Sequence, residues 1–245
     1  MAIDDLPLLV SRLCLPPVKQ QQQLEFHVSL AIFDLDNTLL GGDSDYLWGQ
    51  FLTTTGAVDK AAYEEANQRF FDEYKQGTLD IFEFLRFSLK PLSEHDAATL
   101  EQWHHTFMTT MIDDIWLAKA EALVNKHRDN GDTLMIITAT NRFVTQPIAQ
   151  RFGISELLAT EPEFKDGRYT GEVSGTPCFQ DGKVTRLQTW LKEHNATLEG
   201  SYFYSDSHND LPLLKLVEHP VAVDPDEQLN DYATAHGWSV ISLRE

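Results

Sequence analysis

The stretch "AIFDLDNTLLGG", residues 31–42, decides the fold and the chemistry that this sequence predicts. An apolar run ends in Ile32 and Phe33, and two acids, Asp34 and Asp36, follow at alternate positions. Because side chains alternate between the two faces of a strand, residues spaced by two can direct both carboxylates to the same side. The stretch therefore predicts a buried strand that ends in two neighbouring negative charges.

Four more short apolar runs follow along the chain, with helical patterns between them. These runs cover residues 133–139, 200–206, 219–224 and 238–243. Near-continuous apolar strands that alternate with helices are typical of a parallel sheet covered on both faces. The sequence therefore predicts an α/β fold with a Rossmann-like, doubly wound parallel sheet.

Residues 43–115 interrupt this alternation, because their apolar residues recur at helical spacing. Thr78 and Ser93 are the predicted N-caps of two of these helices. We interpret the segment as an all-helical cap, inserted into a core that consists of residues 24–42 and 116–245.

Two shorter segments depart from the pattern in other ways. Pro16, Pro17 and the glutamines at 20–23 predict that residues 1–23 form a loose arm. The pair Asp166-Gly167, which has polar and aromatic neighbours, predicts a β-hairpin.

The composition limits the partners that the protein can have. Its 19 basic residues face 38 acidic ones, a net charge of -19, which repels nucleic acid and anionic membranes. No stretch approaches the roughly 20 apolar residues of a membrane span. Two cysteines, Cys14 and Cys178, are typical of reduced thiols in a cytosolic protein. We expect a cytoplasmic protein with a small-molecule partner, and the sequence does not indicate its oligomeric state.

Reactive side chains are predicted at the carboxyl ends of three strands. Asp34 and Asp36 follow the first strand, Thr138 ends the second, and Asp206 and Asp210 follow a later one. In open α/β sheets, ligands bind outside the carboxyl ends of the strands. These side chains are therefore expected to meet in one crevice.

Four carboxylates in one crevice require a cation. Two unit charges ~4 Å apart repel by about 4 kcal/mol at an effective dielectric constant of 20. Oxygen ligands without accompanying His or Cys suit Mg²⁺, which in turn attracts an anion such as phosphate. Thr138 offers the phosphate a hydroxyl group, and Lys183 offers it a positive charge. One carboxylate can then attack phosphorus while a second carboxyl group protonates the leaving oxygen.

The same residues carry a family resemblance. "DLDNT" (34–38), Thr138, Lys183 and "SDSHND" (205–210) resemble, in order, the four motifs of the haloacid dehalogenase-like hydrolases. Many of those proteins have Gly where this chain has Ser in the last motif. The helical insert resembles the C1 cap of the superfamily. The group that the chain most resembles is the phosphoserine-phosphatase-like group, which includes histidinol-phosphate phosphatases.

The resemblance implies roles for the matching residues. Asp34 would be the nucleophile that forms an aspartyl-phosphate. Asp36 would act as general acid and then as base, with its main-chain carbonyl on Mg²⁺. Thr138 and Lys183 would hold the phosphoryl group.

The last motif would complete the metal site. Asp206 would be a ligand of Mg²⁺, Asp210 would support it directly or through water, and Asn209 would contact the phosphate.

The stretch "GGDSDYLW" (41–48) leads into the cap and should pass the mouth of the site. Asp43 is either only a helix N-cap or, together with Asp45, an acidic point that faces the cationic end of a substrate. Arg86 and Arg69 in the cap either bind a substrate carboxylate or pair with neighbouring acids.

Other conspicuous side chains have a structural interpretation. The histidines on helices are predicted to lie at the surface: His104, His105 and His127. The aromatic residues of the insert are predicted to pack the cap: Phe70, Phe71, Phe82, Phe84, Phe87, Trp103 and Phe107.

The sequence thus predicts a Mg²⁺-dependent phosphomonoester hydrolase that acts on a small metabolite. Acidic residues at the mouth favour L-histidinol phosphate as the substrate, with phosphoserine second. A phosphotransferase of the same group is an alternative, and so is a receiver-type signalling domain that accepts a phosphoryl group. Receiver domains, however, lack a large insert after the first strand and the alternate pair of aspartates.

Overall fold

A seven-stranded sheet forms the centre of the structure, a computed structural model that describes residues 29–244. The strands are β1 (Leu30–Phe33), β2 (Thr133–Asn141), β3 (Glu156–Lys165), β4 (Arg168–Ser174), β5 (Tyr202–Ser205), β6 (His219–Val223) and β7 (Ser239–Ile241). Their order is β4-β3-β2-β1-β5-β6-β7, and every neighbouring pair is parallel except β3 and β4. The predicted doubly wound α/β fold is confirmed, and the strand order reverses between β1 and β5, where such folds bind their ligands.

The helices follow the predicted alternation. Four of them belong to the segment inserted after β1: α1 (Ser44–Thr55), α2 (Lys60–Gln76), α3 (Ile81–Glu94) and α4 (Ala97–Phe107). Five more flank the sheet: α5 (Ala118–Asn130), α6 (Arg142–Arg151), α7 (Asp181–His194), α8 (Leu211–Leu214) and α9 (Glu227–His236). A β-bridge between Leu40 and Trp116 closes the base of the inserted segment.

The side chains of β1 alternate between two apolar clusters, one on each face of the sheet. Ala31 and Phe33 belong to one cluster, and Leu30 and Ile32 to the other, all four fully buried or nearly so. The first cluster continues into the inserted helices. The helices are therefore anchored to one face of the sheet by shared burial of apolar surface.

The predicted N-caps Thr78 and Ser93 are wrong. Asp80 caps α3, where its carboxylate accepts hydrogen bonds from two N–H groups of the first turn, and Asp96 caps α4, where its carboxylate accepts the N–H of Thr99. Ser93 lies inside α3, and its hydroxyl donates to the carbonyl of Lys90 over 2.7 Å. A carboxylate carries a full negative charge, which the N-terminal end of the helix dipole also favours.

The predicted hairpin is confirmed, but its first strand is longer than the sequence indicated. Asp166 and Gly167 connect β3 to β4 with φ values of 50° and 80°, as a two-residue type I′ turn requires. The strand β3 begins at Glu156 and pairs with β2 before it enters the hairpin, which the sequence pattern did not predict.

Two of the three histidines predicted at the surface are buried. His104 Nε2 donates to the carbonyl of Val144 over 3.0 Å. His127 lies between the Asp132 carboxylate and the Tyr204 hydroxyl, with both contacts at 2.7 Å. Satisfied hydrogen bonds allow a polar ring to be buried, whereas His105 is exposed as predicted.

The other predictions have varied outcomes. Phe82 is 51% exposed and does not pack the cap. Cys178 is a free, buried cysteine, and its burial raises the pKa of the thiol to about 12. The arm at residues 1–23 and Cys14 lie outside the described residues. Within residues 29–244, no helix is both long and apolar enough to span a membrane.

Candidate active site

The turn that follows β1 places the two acids of the opening stretch. The N–H of Asp34 donates to the carbonyl of Tyr204 on β5 over 2.9 Å, so Asp34 is held at the reversal point of the strand order. Asn37 adopts a left-handed conformation with φ of 58°, and its N–H donates to the carbonyl of Gly42 over 2.9 Å. The chain thus turns sharply after Asp36 and enters α1.

Lys183, in the first turn of α7, neutralises part of this charge. Its Nζ lies 2.7 Å from Asp34 Oδ1 and 2.8 Å from Asp210 Oδ2, and all three side chains are buried. The Ser205 hydroxyl donates to the same oxygen of Asp210 over 2.7 Å. Although burial lowers the pKa of Lys183, the charges of Asp210 and Asp34 raise it above its ordinary value. The lysine is therefore a fixed cation beside Asp34.

Asp36 uses both of its carboxylate oxygens. Oδ1 accepts the N–H of Ser44, the first residue of α1, over 2.6 Å, and Oδ2 accepts the Thr140 hydroxyl over 2.7 Å. Burial, followed by the charge of Asp43, raises the pKa of Asp36 to about 7. A carboxyl group with this pKa can give and take a proton near neutral pH.

Asp34 and Asp206 carry charge that Lys183 does not fully compensate. Burial raises the pKa of Asp34 to about 7 in spite of Lys183. Burial, followed by the charges of Asp34 and Asp210, raises the pKa of Asp206 well above its ordinary range. The Thr38 hydroxyl lies 3.0 Å from Asp206 Oδ1 and fixes that side chain. The cluster therefore favours a cation.

The donor set fits Mg²⁺ if a main-chain oxygen takes part. Among residues 29–244, no three side chains of His, Cys, Asp and Glu form a group that could hold a metal ion. Asp34 and Asp206 supply carboxylates, whereas the side chain of Asp36 is held by Ser44 and Thr140, which leaves Asp36 its main-chain carbonyl. Such a hard, oxygen-only set is the kind that Mg²⁺ uses, with water at its other positions.

A cavity of about 60 Å³ lies between the sheet edge and the inserted helices. Its core wall is polar and consists of Asp34, Asp36, Asn37, Thr138, Ala139 and Thr140. Its cap wall is largely aromatic and apolar and consists of Tyr46, Asn67, Phe70, Phe71, Tyr74, Leu79, Ile81 and Phe84. Phe179, Asp43 and Asp45 complete the lining, and no Lys or Arg occurs among these described residues.

Asp43 and Asp45 lie where the two walls meet. Asp43 is the N-cap of α1, and its Oδ1 accepts the N–H groups of Asp45 and Tyr46 over 3.0 and 2.9 Å. Asn141 Nδ2 donates to Asp45 Oδ1 over 3.4 Å. Burial, followed by the charges of Asp43 and Asp36, raises the pKa of Asp45 well above its ordinary value. The two interpretations of Asp43 are compatible, because it both caps a helix and lines the cavity.

The structure brings most of the predicted site residues together. The group consists of Asp34, Asp36, Thr138, Lys183, Asp206 and Asp210, with Asp43 and Asp45 on the adjoining wall. Asp210 contacts Lys183, and its role at the metal stays a prediction. Arg86 is exposed on α3 and lies outside the cavity lining. Arg69 pairs with Glu83 at 2.7 Å, one of the two roles left open for it.

Asn209 is buried, and its amide is used within the protein. Its Nδ2 donates to the carbonyl of Tyr74 over 3.1 Å, and its Oδ1 accepts Gln180 Nε2 over 2.9 Å. A contact with phosphate stays a prediction.

The sequence analysis missed several residues of the site. Thr140 stands two residues after Thr138 and shares its strand face, so the period of the strand could have revealed it. The aromatic lining residues Phe70, Phe71 and Phe84 have the same spacing as core residues, so the sequence carries no signal that separates them from the core.

Comparisons with known proteins agree with this geometry. The family model "haloacid dehalogenase-like hydrolase" matches residues 31–215. A histidinol-phosphatase of Neisseria meningitidis is 44% identical over 220 residues, which cover 88% of this chain and 99% of that protein. A phosphoserine phosphatase of Mycobacterium tuberculosis is 31% identical over 218 residues, which cover 87% of this chain and 70% of that protein.

Two solved structures extend the comparison. A protein of unknown function from Bordetella pertussis has a TM-score of 0.84 at 44% identity and covers 89% of this chain and 99% of its own. A substrate-bound phosphoserine phosphatase has a TM-score of 0.66 at 18% identity, covering 89% and 93%, and shares the fold.

Proposed function

Because the chain belongs to the haloacid dehalogenase-like hydrolases, we propose that it is a Mg²⁺-dependent phosphatase of L-histidinol phosphate that works through an aspartyl-phosphate on Asp34. The family and the relatives place the chain among the phosphatases. The proposal about the substrate is carried by one observation: the described lining of the cavity contains Asp43 and Asp45 but neither Lys nor Arg.

L-Histidinol phosphate matches this lining. It carries an amine and an imidazole, and it lacks a carboxylate. Asp43 and Asp45 are placed to receive a positive charge, and the rings of Phe70, Phe71 and Phe84 offer a flat apolar surface to the imidazole. The histidinol-phosphatase that is 44% identical to this chain supports the same substrate.

The residues of the core wall account for both halves of the reaction. Asp34 attacks phosphorus, and Lys183, 2.7 Å from its Oδ1, offsets negative charge at that point. Asp36, held by Ser44 and Thr140, gives a proton to the leaving alkoxide and then takes one from the water that cleaves the acyl phosphate. Thr138 lines the same cavity, and its hydroxyl, which accepts the N–H of Thr140 over 3.2 Å, would donate to a phosphoryl oxygen.

Asp34, Asp206 and the main-chain carbonyl of Asp36 would hold Mg²⁺. The bound ion would supply positive charge for the phosphoryl oxygens. Asp210 orients Lys183, since its Oδ2 also accepts the Ser205 hydroxyl and is thereby fixed.

Phosphoserine is the second candidate, because a phosphoserine phosphatase is 31% identical to this chain. Its carboxylate would lie in a cavity whose described lining offers carboxylates, and two cations beside that lining, Lys183 and Lys75, already contact Asp34 and the Phe71 ring. Such a pairing of like charges disfavours binding. A receiver domain is disfavoured by the four helices, α1 to α4, that are inserted after β1.

The test is a comparison of kcat/KM for three esters, each with Mg²⁺ and with EDTA. We expect L-histidinol phosphate to exceed phosphoserine and p-nitrophenyl phosphate at least tenfold, and EDTA to abolish turnover until Mg²⁺ is restored. A preference for phosphoserine would contradict the proposed substrate. Assays with an added acceptor alcohol would reveal a phosphotransferase. In that case the alcohol released from the phosphate ester would exceed the inorganic phosphate released.

A further inference from the structure

Gln180 has a backbone conformation that normally belongs to glycine, three residues before Lys183. Its φ is 48° and its ψ is -120°, and the N–H of Gly182 donates to the carbonyl of Phe179 over 2.8 Å. This combination defines the first central position of a type II′ turn, which glycine occupies without strain. Strained positions that the surrounding structure maintains often serve a function.

The side chain of Gln180 begins a hydrogen-bonded connection to the inserted helices. Gln180 Nε2 donates to Asn209 Oδ1 over 2.9 Å, and Asn209 Nδ2 donates to the carbonyl of Tyr74 over 3.1 Å. Tyr74 lies in the last turn of α2. We call these three groups the clasp: the Gln180 amide, the Asn209 amide and the Tyr74 carbonyl.

The end of α2 is closely packed against the core at the clasp. Gly77 follows α2, and a Cβ atom at this position would lie 3.0 Å from His208 Nε2. The rings of Tyr74 and Phe179 have centroids 6.0 Å apart. The clasp therefore joins α2 to two loops of the core where they meet.

Both core members of the clasp adjoin the buried ion pair of the active site. The Gln180 carbonyl accepts the N–H of Lys183 over 3.0 Å, so the strained turn fixes the start of α7. Asn209 immediately precedes Asp210, whose Oδ2 lies 2.8 Å from Lys183 Nζ. A shift of either loop would move a partner of Asp34.

We propose that Gln180 is a positioning residue: through the clasp it couples the position of α2 against the core to the position of Lys183 beside Asp34. The inference rests on the proposed function, since it requires phosphoryl transfer at Asp34, but it does not depend on which ester is the substrate. The turn contains Gln180 in a strained conformation, although glycine would fit it better, because the hydrogen bond to Asn209 requires a side chain. Glycine would form the same turn without strain and would break the connection.

The experiment is the substitution Gln180→Gly, with Asn195→Gly as a matched control. Asn195 also has a positive φ, 50°, and ends α7 on the exposed side. We expect Gln180→Gly to change Tm little, because the relief of strain offsets the loss of the hydrogen bond to Asn209. It should also lower kcat about fivefold, as expected for the loss of one hydrogen bond. Asn195→Gly should leave kcat unchanged.

Two further readouts separate the outcomes. Hydrogen exchange at the end of α2 should accelerate in Gln180→Gly and not in Asn195→Gly, and this readout needs no turnover. Assays with p-nitrophenyl phosphate keep the clasp testable if L-histidinol phosphate proves not to be the substrate. Unchanged kcat and exchange in Gln180→Gly would overturn the proposal. A lower kcat with unchanged exchange at the end of α2 would do the same, since the loss of activity would then not involve the position of α2.

Discussion

The core wall and the cap wall of the cavity consist of different kinds of side chain. On the core wall, strand ends present carboxylates and hydroxyls, and each of the carboxylates of Asp34 and Asp36 has a defined partner at 2.6 to 2.7 Å. On the cap wall, helices present mainly rings and aliphatic side chains. The difference supports our proposal that bonds are made and broken at the core wall, whereas the cap wall selects the molecule that carries the phosphate.

The two walls should also respond differently to substitution. A change at the core wall disturbs buried charges that balance one another, so its effect should be large and the same for every ester. A change at the cap wall, or where the walls meet, alters contacts with one part of the substrate. Its effect should depend on which ester is used.

The largest effect is expected for Asp34→Asn. The amide oxygen and nitrogen cannot form the acyl phosphate, so turnover of every ester should fall by about 10⁴-fold or more. Release of inorganic phosphate from p-nitrophenyl phosphate and from L-histidinol phosphate measures this directly.

Asp113→Asn is a suitable control for that loss. Asp113 pairs with Arg151 at the surface, and the pair is about half exposed, so its removal should leave turnover unchanged. If Asp34→Asn kept more than a hundredth of the parental rate on either ester, Asp34 would not be the nucleophile.

The contrast between the walls also explains what the sequence predicted. The core wall could be predicted from topology, because parallel strands bring their carboxyl ends to one edge of the sheet. Asp34, Thr138 and Asp206 are the residues at those ends. No comparable rule exists for the cap wall. Phe70 and Phe84 have core spacing, and only the position of the helices shows that they line the cavity.

Failures at single residues have the same origin. The motif of Asn209 does not reveal that its amide bonds to Gln180 and to the carbonyl of Tyr74, which lies 135 residues away in the chain, and its contact with phosphate stays a prediction. The sequence pattern predicts His104 at the surface, because it does not show that the carbonyl of Val144 on α6 accepts a hydrogen bond from the ring. Partners this distant in sequence leave no local pattern, because local patterns reflect only neighbouring residues.

A smaller and selective effect is expected for Asp45→Asn. The substitution keeps the size of the side chain and removes a charge where the walls meet. Because a hydrogen bond to a charged group contributes about 1.5–3 kcal/mol, KM for L-histidinol phosphate should rise roughly 10- to 100-fold. The kcat for p-nitrophenyl phosphate, which has no cationic group, should change less than twofold.

Asp59→Asn provides the matched control. Asp59 is the exposed N-cap of α2, and asparagine caps helices as well as aspartate does. Neither ester should therefore be affected. An equal loss for both esters in Asp45→Asn would place Asp45 in the chemistry of the core wall and would remove the distinction drawn between the walls.

The smallest effect concerns pH and the contact between α4 and the core. Burial lowers the pKa of His104 below its ordinary value of 6.5. The unfolded chain therefore binds this proton more readily than the folded one. The stability that depends on neutral His104 is complete above about pH 6.5 and is lost as the pH falls through the interval down to the lowered pKa.

The substitution His104→Gln isolates this contribution from the acids of the core wall. Glutamine can still donate to the carbonyl of Val144, but it cannot titrate. The acids with raised pKa values, Asp34 and Asp36 among them, contribute with the opposite sign, since the folded protein holds their protons more tightly. Urea unfolding should be measured at pH 7.5 and at pH 5.5. On acidification, the free energy of unfolding should fall further in the parent than in His104→Gln, by roughly 1 kcal/mol or less. Equal losses would mean that His104 takes up its proton without opposing the contact between α4 and α6, and the cap would then be no more sensitive to acid than the core.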